Sequence, residues 1–487
     1  MRKYWIAAVL FAVFVSVVQS YLALSVPGFS DDAAYVRLRN AQHILETGLP
    51  ITQDSLVPRR SVVVSLFDYV LAGVALFLPL ETAGKVVPNV LAGVLAIAFF
   101  WLALRVGRNP QAALLATIVL VTLPEVVGLF NSISPLVLVL IGACVLHVCL
   151  ANGGRGWWGL MFVATLGLLA VTHPSVIVLV LGVGVTILLK LSERVLEREE
   201  LELGLFSVFF VMTASVVAYR KLLREFGIAL LSASVPEQVA ATLFPPLSIL
   251  DAITSIGIVT IGVALTTVYQ TLFYEKKTRL HYAIGLLAAA SVLLWGGFVP
   301  ARLGMLFFVL PAVLLFGAGY ARFTRYVRQT RIAQHAWIIH TCLILFLLST
   351  NVLQSAVSVQ NALRRAPSRG ELDVASWIRD VTDANVTVVS PPVRGEFLAY
   401  ATGRKVVLDT FYSLTPDAQV RFTDVSGMFT TPFEIEAVAL MERYGAGVMY
   451  VPSFVPLPRY VPGRCFSVAY ASDATVVAKS PLCKVVL

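Results

Sequence analysis

Apolar runs recur along this chain from residue 4 to about residue 353. A helical run of about 17 residues or more spans the ~30 Å hydrocarbon core of a bilayer. In lipid every backbone N–H and C=O must be paired within the protein, so repeated runs of this length mean repeated helical crossings. The rest of the composition agrees. Of 487 residues 58% are hydrophobic and only 13% charged, and the mean hydropathy is +0.83. The fold class is therefore a polytopic α-helical membrane protein. The first run, 4–26, is too long for a signal-peptide core and lacks a small-residue cleavage site, which makes it a retained membrane helix. The net charge of +9 calls for no nucleic-acid partner, because membrane topology already accounts for excess Lys and Arg.

Twelve segments qualify as candidate crossings: 4–26, 61–80, 86–104, 111–129, 133–150, 157–172, 175–191, 203–219, 247–273, 282–298, 303–320 and 336–353. Short cytoplasmic loops collect Lys and Arg. The basic connections are Arg2/Lys3, Arg105/Arg108, Arg155, Lys190/Arg194/Arg198, Lys276/Lys277/Arg279 and Arg322/Arg325/Arg328/Arg331. All of them fall on one side only if 61–80 does not cross, and Asp68 near its middle argues against hydrocarbon there. The expectation is about eleven crossings, with the N-terminus cytoplasmic and the C-terminus outside; twelve crossings is the alternative. Residues 1–356 then form the membrane domain, with an outer loop at 27–88. A second outer loop, 220–246, carries Arg220, Lys221 and Arg224 against the topology rule, which marks them as functional candidates.

Composition shifts at about Asn361, and 361–487 reads as a soluble α/β domain. "VTVVS" is a short buried strand stopped by Pro391 and Pro392. "EFLAYATGRKVVLDT" and "PFEIEAVALMERYGAGVMYVP" each read as helix, glycine stop and strand, and two more strands finish the chain. A mostly parallel sheet is expected. No glycine-rich nucleotide loop follows any strand. Cys465 and Cys483 flank the last two strands and can pair if this domain lies outside the cytoplasm; Cys144, Cys149 and Cys342 sit in apolar helices and read as core.

The stretch "GFSDDAAYVRLRNAQHILETGLP" follows the first helix. Ser30 reads as an N-cap with Asp31 and Asp32 in the favourable first turn, and Gly48 and Pro50 end an amphipathic helix. Two carboxylates at a membrane boundary also suit a base acting on a polar substrate delivered by lipid. Sequence spacing leaves both readings open.

The run "SDDAAYVRLRNAQHILETGLP…DSL" resembles the first outer loop of the GT-C membrane glycosyltransferases. That group includes protein mannosyltransferases, lipid A aminoarabinose transferases and oligosaccharyltransferase catalytic subunits. "LRVGRNPQAALLATIVLVTLPEVV" resembles its inner turn and next helix, and "WIRD", "VVSPP" and "YGAGVMYV" its trailing outer domain. The resemblance implies a glycosyltransferase that moves a sugar from a polyprenyl-phosphate donor to a hydroxyl of a glycan, lipid or protein acceptor, with inversion. It makes Asp31 the catalytic base, with Asp32 its catalytic neighbour, and sets Tyr35 beside the substrate. The family's second acidic position falls at "LFNSISP", where this chain has Asn131, Ser132 and Ser134, with only Glu125 nearby. No cofactor is certain, and a divalent metal shared between two outer loops lacks its second acid. The WWDYG motif of sequon-reading oligosaccharyltransferases is absent. Cations must hold the leaving phosphate. Arg302, Arg220, Lys221 and Arg224 are the candidates, ahead of Arg59 and Arg60, which read as snorkelling to headgroups. Glu125 and His173 complete the candidate site, although His173 also reads as a satisfied helix end and Asp251 as a helix cap. A flippase of lipid-linked saccharides and a non-catalytic glycan-binding relative are the competing readings; no internal repeat supports the former.

Overall fold

Each of the twelve apolar segments forms helix in the computed structural model, which describes residues 1–51, 53–60, 62, 65–152, 156–226, 235–245, 247–274, 279–415 and 417–484. Arg155, Lys276 and Lys277, and 227–234 and Pro246 of the second outer loop, lie outside the described residues. α1 (Arg2–Leu24) leads into the segment expected as an outer loop, which holds α2 (Ala33–Thr47) and α3 (Leu66–Ala75). The bundle continues with α4 (Leu80–Gly107), α5 (Pro110–Val121), α6 (Pro124–Phe130), α7 (Leu136–Ala151), α8 (Trp157–Thr172), α9 (Val176–Ser192) and α10 (Arg198–Phe226). After α11 (Glu237–Leu243) come α12 (Ile249–Ile256), α13 (Ile258–Phe273), α14 (His281–Trp295), α15 (Ala301–Gln329) and α16 (Ala336–Arg365).

Among the described residues five helices alone are long and apolar enough to cross a membrane, and seven if each bent pair counts as one span. The pairs are α5–α6, bent by 66°, and α12–α13, bent by 106°. α7, α8, α9 and α14 have 15 to 17 residues, roughly 22–26 Å of helix, and complete a bundle of eleven apolar elements. α3 is different. Its ten residues reach only ~15 Å, and Asp68 in its first turn is paired to Arg37 of α2 at 3.1 Å and bonded to Asn40. Asp68 thus ties α3 to α2.

The bends have local causes. Pro124 has no N–H to continue α5 and holds Leu123 extended (φ −74°, ψ 139°). Gly257 turns α12 into α13 with φ 91°, a backbone that L side chains rarely adopt. One expectation about loops is corrected. α10 continues to Phe226, so Arg220, Lys221 and Arg224 lie on its last turns, and Arg302 lies in the first turn of α15.

The soluble part contains α17 (Arg369–Val381), β1 (Thr387–Val389), α18 (Gly395–Thr402), β2 (Lys405–Val406), α19 (Ala418–Thr430), α20 (Glu434–Arg443), β3 (Ala446–Pro452), β4 (Phe466–Ala471) and β5 (Ala474–Lys479). Sheet order is β2-β1-β3-β5-β4. β1 pairs with β2 and β3 in parallel, but β5 is antiparallel to both β3 and β4. The sheet is mixed rather than mostly parallel, because only two residues separate β4 from β5 and so short a link permits only an antiparallel pair. Cys465 and Cys483 form a disulfide across this hairpin. Cys144 and Cys149 are buried, whereas Cys342 is exposed on α16 and is no core residue. The outer loop and the sheet are joined directly: the Val406 N–H of edge strand β2 donates to the Leu56 carbonyl at 2.8 Å. One apolar core runs from the helices through Tyr35 and Phe397 to Val388 of β1 and Tyr450 of β3.

Candidate active site

The two adjacent carboxylates face different surroundings. Asp32 is the N-cap residue of α2 but caps nothing there. It is buried, and its oxygens accept from the backbone N–H groups of Glu396 (3.0 Å) and Phe397 (2.9 Å), in the first turn of α18. A carboxylate at a helix N-terminus meets unpaired N–H donors and the positive end of the helix dipole. Here that helix belongs to the soluble domain. Burial is the largest influence on Asp32 and pushes its carboxyl up to about 7 against the two amide donors; Asp409 and Asp31 push the same way. Ser30 is not the cap either: its hydroxyl donates to the Asn131 carbonyl at 3.1 Å. Asp31 accepts from Ala33 N–H through Oδ1 at 3.1 Å and leaves Oδ2 facing outward.

Around Asp32 a buried ionic cluster fastens the two domains. Arg60 of the outer loop bonds to Asp54, Glu396 and Asp409, and Arg39 of α2 bridges Asp54 and Glu396. Burial pushes the Asp54 carboxyl up, but Arg60 and Arg39 outweigh it and hold it below its ordinary value. Arg60 is 5% exposed, so the expectation that it snorkels to headgroups is corrected: three buried carboxylates claim it. Arg59 points outward beside Asp417 at 3.6 Å.

Asp31 opens on a cavity of about 820 Å³ between the membrane helices and the soluble domain. Arg302 Nη1 lies 3.7 Å from Asp31 Oδ2, with the two side chains 50% and 36% exposed. Arg302 Nη2 is anchored to the Gly128 carbonyl (2.9 Å) and faces Ser132 Oγ (3.4 Å). The bend at Pro124 turns Glu125 and Gly128 into the same cavity. Arg364 and Arg365, at the carboxyl end of α16, line it from another side. A second, apolar cavity of about 610 Å³ runs between α1, α5–α6 and α16, lined by residues such as Phe14, Val18, Val352 and Val359. Arg364 lines both cavities, the one described residue that the apolar groove and the polar chamber share.

Asp31, Asp32, Glu125 and Arg302 are therefore brought together, and other candidates are not. Tyr35 is buried, its hydroxyl accepting from Phe29 N–H and its ring packed on Phe397 and Tyr400; it is a packing residue, not a cavity residue. His173 pairs with Ser175 Oγ at 2.8 Å at the end of α8 and does not line the cavity. Arg220 and Arg224 are exposed on α10, outside the cavity, because the helix carries them along its own axis; the Lys221 side chain lies outside what is described. Asp251 forms a capping box with Ser248. Arg364 and Arg365 had a sequence signal, two cations where an apolar helix meets a polar domain. Arg394 and Phe454 of the cavity roof had none, because only the fold brings them there. Among the described residues no group of three or more His, Cys, Asp or Glu is placed to hold a metal ion: the carboxylates that gather, Asp54, Glu396 and Asp409, are taken up by Arg60.

No family model and no curated protein matches the chain. Solved structures do. The Archaeoglobus fulgidus oligosaccharyltransferase AglB, in complex with an inhibitory peptide and a dolichol-phosphate, is similar with TM-score 0.67 at 11% identity, over 90% of this chain and 69% of that one. The same enzyme with Zn and sulfate gives 0.64 at 12%, over 92% and 67%. ArnT from Cupriavidus metallidurans, bound to undecaprenyl phosphate, gives 0.57 at 12% identity over 98% of this chain and 99% of that one. Identities this low speak to architecture. From its outer-loop helices to its trailing α/β domain, the chain has the GT-C fold that the oligosaccharyltransferase and the aminoarabinose transferase share.

Proposed function

We propose that the protein is a glycosyltransferase that moves a sugar from a polyprenyl-phosphate carrier to an acceptor hydroxyl at the outer face of the membrane. The observation that carries this reading is a half-exposed carboxylate and guanidinium, Asp31 and Arg302, in a polar chamber at the head of an apolar groove. A polyprenyl chain suits the groove, and a phosphate at its head would meet Arg364 where groove and chamber join, with Arg302 beyond. The structural neighbours that hold dolichol-phosphate and undecaprenyl phosphate support the donor class.

Asp31 takes the proton of the acceptor hydroxyl as its oxygen attacks the anomeric carbon. The bond from that carbon to the phosphate oxygen breaks, and its electrons leave with the polyprenyl phosphate. Phosphate leaves without a general acid, so cations suffice: Arg302 and Arg364 hold the charge as it grows. One displacement inverts the anomeric centre. Asp32 is committed to α18 and acts by holding Asp31 in place. On this reading the N-terminus is cytoplasmic and the 361–487 domain extracytoplasmic. Asp31→Asn tests the assignment. Transfer from a polyprenyl-phosphate sugar in membranes should fall by about 10²–10⁴-fold with thermal stability unchanged. Full activity in that variant would remove Asp31 as the base.

A further inference from the structure

The chamber has a roof, and the roof is built differently from its floor. Val393 and Arg394 follow β1, Thr410 follows β2 and Phe454 follows β3. These are the loops at the carboxyl ends of the three parallel strands, the edge where open α/β sheets gather their ligands. Phe454 and Val393 line the chamber and are 58% and 47% exposed. The ring is held from behind. The Arg394 guanidinium lies 5.4 Å from its centroid. Arg394 is buried and itself immobilised, donating to both Glu371 oxygens at 3.2 Å and to the Arg365 carbonyl at 2.9 Å. Tyr450 donates to the same Glu371 at 2.8 Å. A fully committed arginine that props an aromatic face toward an open chamber is a built platform, since its charge is already neutralised by Glu371. Thr410 also lines the chamber, and its buried hydroxyl has no hydrogen-bond partner.

We infer that this roof is the acceptor subsite and that the acceptor is a saccharide, with the apolar face of one ring stacked on Phe454. The inference rests on the transferase reading and names its acceptor class. A pyranose, with an apolar C–H face and hydroxyls around its edge, matches one aromatic face in a polar chamber whose hydrogen-bonding groups include Ser358 and Asn361 of α16.

The test uses the full chain in lipid nanodiscs. Saturation-transfer NMR reads binding of methyl glycosides of glucose, galactose, mannose and N-acetylglucosamine, beside a Ser/Thr peptide; native mass spectrometry reads binding of undecaprenyl phosphate. At least one glycoside should bind, and Phe454→Leu, which keeps bulk without a ring, should weaken it at least tenfold. Phe454→Trp should keep it, and both variants should bind undecaprenyl phosphate as the parent does. Undecaprenyl phosphate bound with no glycoside, or with the peptide alone, overturns the inference and leaves the donor reading standing. Neither ligand bound overturns both. Glycoside binding equal in Phe454→Leu, or loss of both ligands in that variant, shows that the ring is not a platform and overturns the inference.

Discussion

Asp31 and Asp32 are neighbours in sequence and opposites in environment. Asp31 keeps one oxygen toward the chamber and Arg302, while Asp32 is sealed against the first turn of α18. The difference predicts a pH effect. Burial raises Asp32 to about 7 from an ordinary 3.8, so the folded protein holds a proton that the unfolded chain releases above about 4. A raised carboxyl pKa contributes stability below the unfolded value, and that contribution is lost as pH rises through the folded value. Asp32→Asn cannot ionise. Its melting temperature relative to the parent should therefore climb between pH 4 and pH 8, as measured by thermal unfolding in nanodiscs. A difference flat across that range would show that Asp32 does not titrate in this window.

Among elements, the junction of residues 54–60 with α18 and the Asp409 loop matters most, because it fastens α2, which starts at the paired carboxylates, to the soluble domain. Arg60 meets Asp54, Glu396 and Asp409 at once, and each is almost wholly buried. Removing one partner of a buried ionic cluster leaves the others charged in a poor solvent, which costs roughly 3–5 kcal/mol. Arg60→Ala should destabilise by about that much in denaturant unfolding. Arg60→Lys should recover only part of it, since an ammonium is a point charge without the guanidinium's planar fork. A change below ~1 kcal/mol for Arg60→Ala, as for an exposed pair, would mean that the cluster does not fasten the domains. The bend at Pro124 is the second element that matters: it turns Glu125 and Gly128 toward Arg302.

The whole molecule sets an apolar groove and a polar chamber end to end, with Arg364 common to both. Ala356 lines the groove from α16 and is exposed there. Ala356→Trp should obstruct a long polyprenyl chain and raise the apparent KM for a polyprenyl-phosphate donor tenfold or more, while a short-chain donor analogue is spared. Equal effects on both donors would place the carrier elsewhere. Orientation is tested by accessibility: a tag at Asn109 should be reachable only from the cytoplasmic side and one at the C-terminus only from outside. An external Asn109 would defeat the proposed topology.

The sequence by itself determined the helical membrane bundle, the trailing α/β domain and the outer-loop helix that starts at the paired carboxylates. Those features are local: an apolar run, a period, a proline or a glycine states them without reference to the rest of the chain. The Ser30 cap, the free Arg60 and the cavity-facing Tyr35 were misread for one reason. A capping residue, a cation and an aromatic look alike in sequence whatever they meet, and here they meet Asn131, a soluble-domain carboxylate pair and Phe397. Only the tertiary structure decided which of two adjacent acids faces Arg302 and which is bonded into α18. The partners of Asp32 lie 364 and 365 residues away, and burial beside them, not the local pattern, separates it from Asp31.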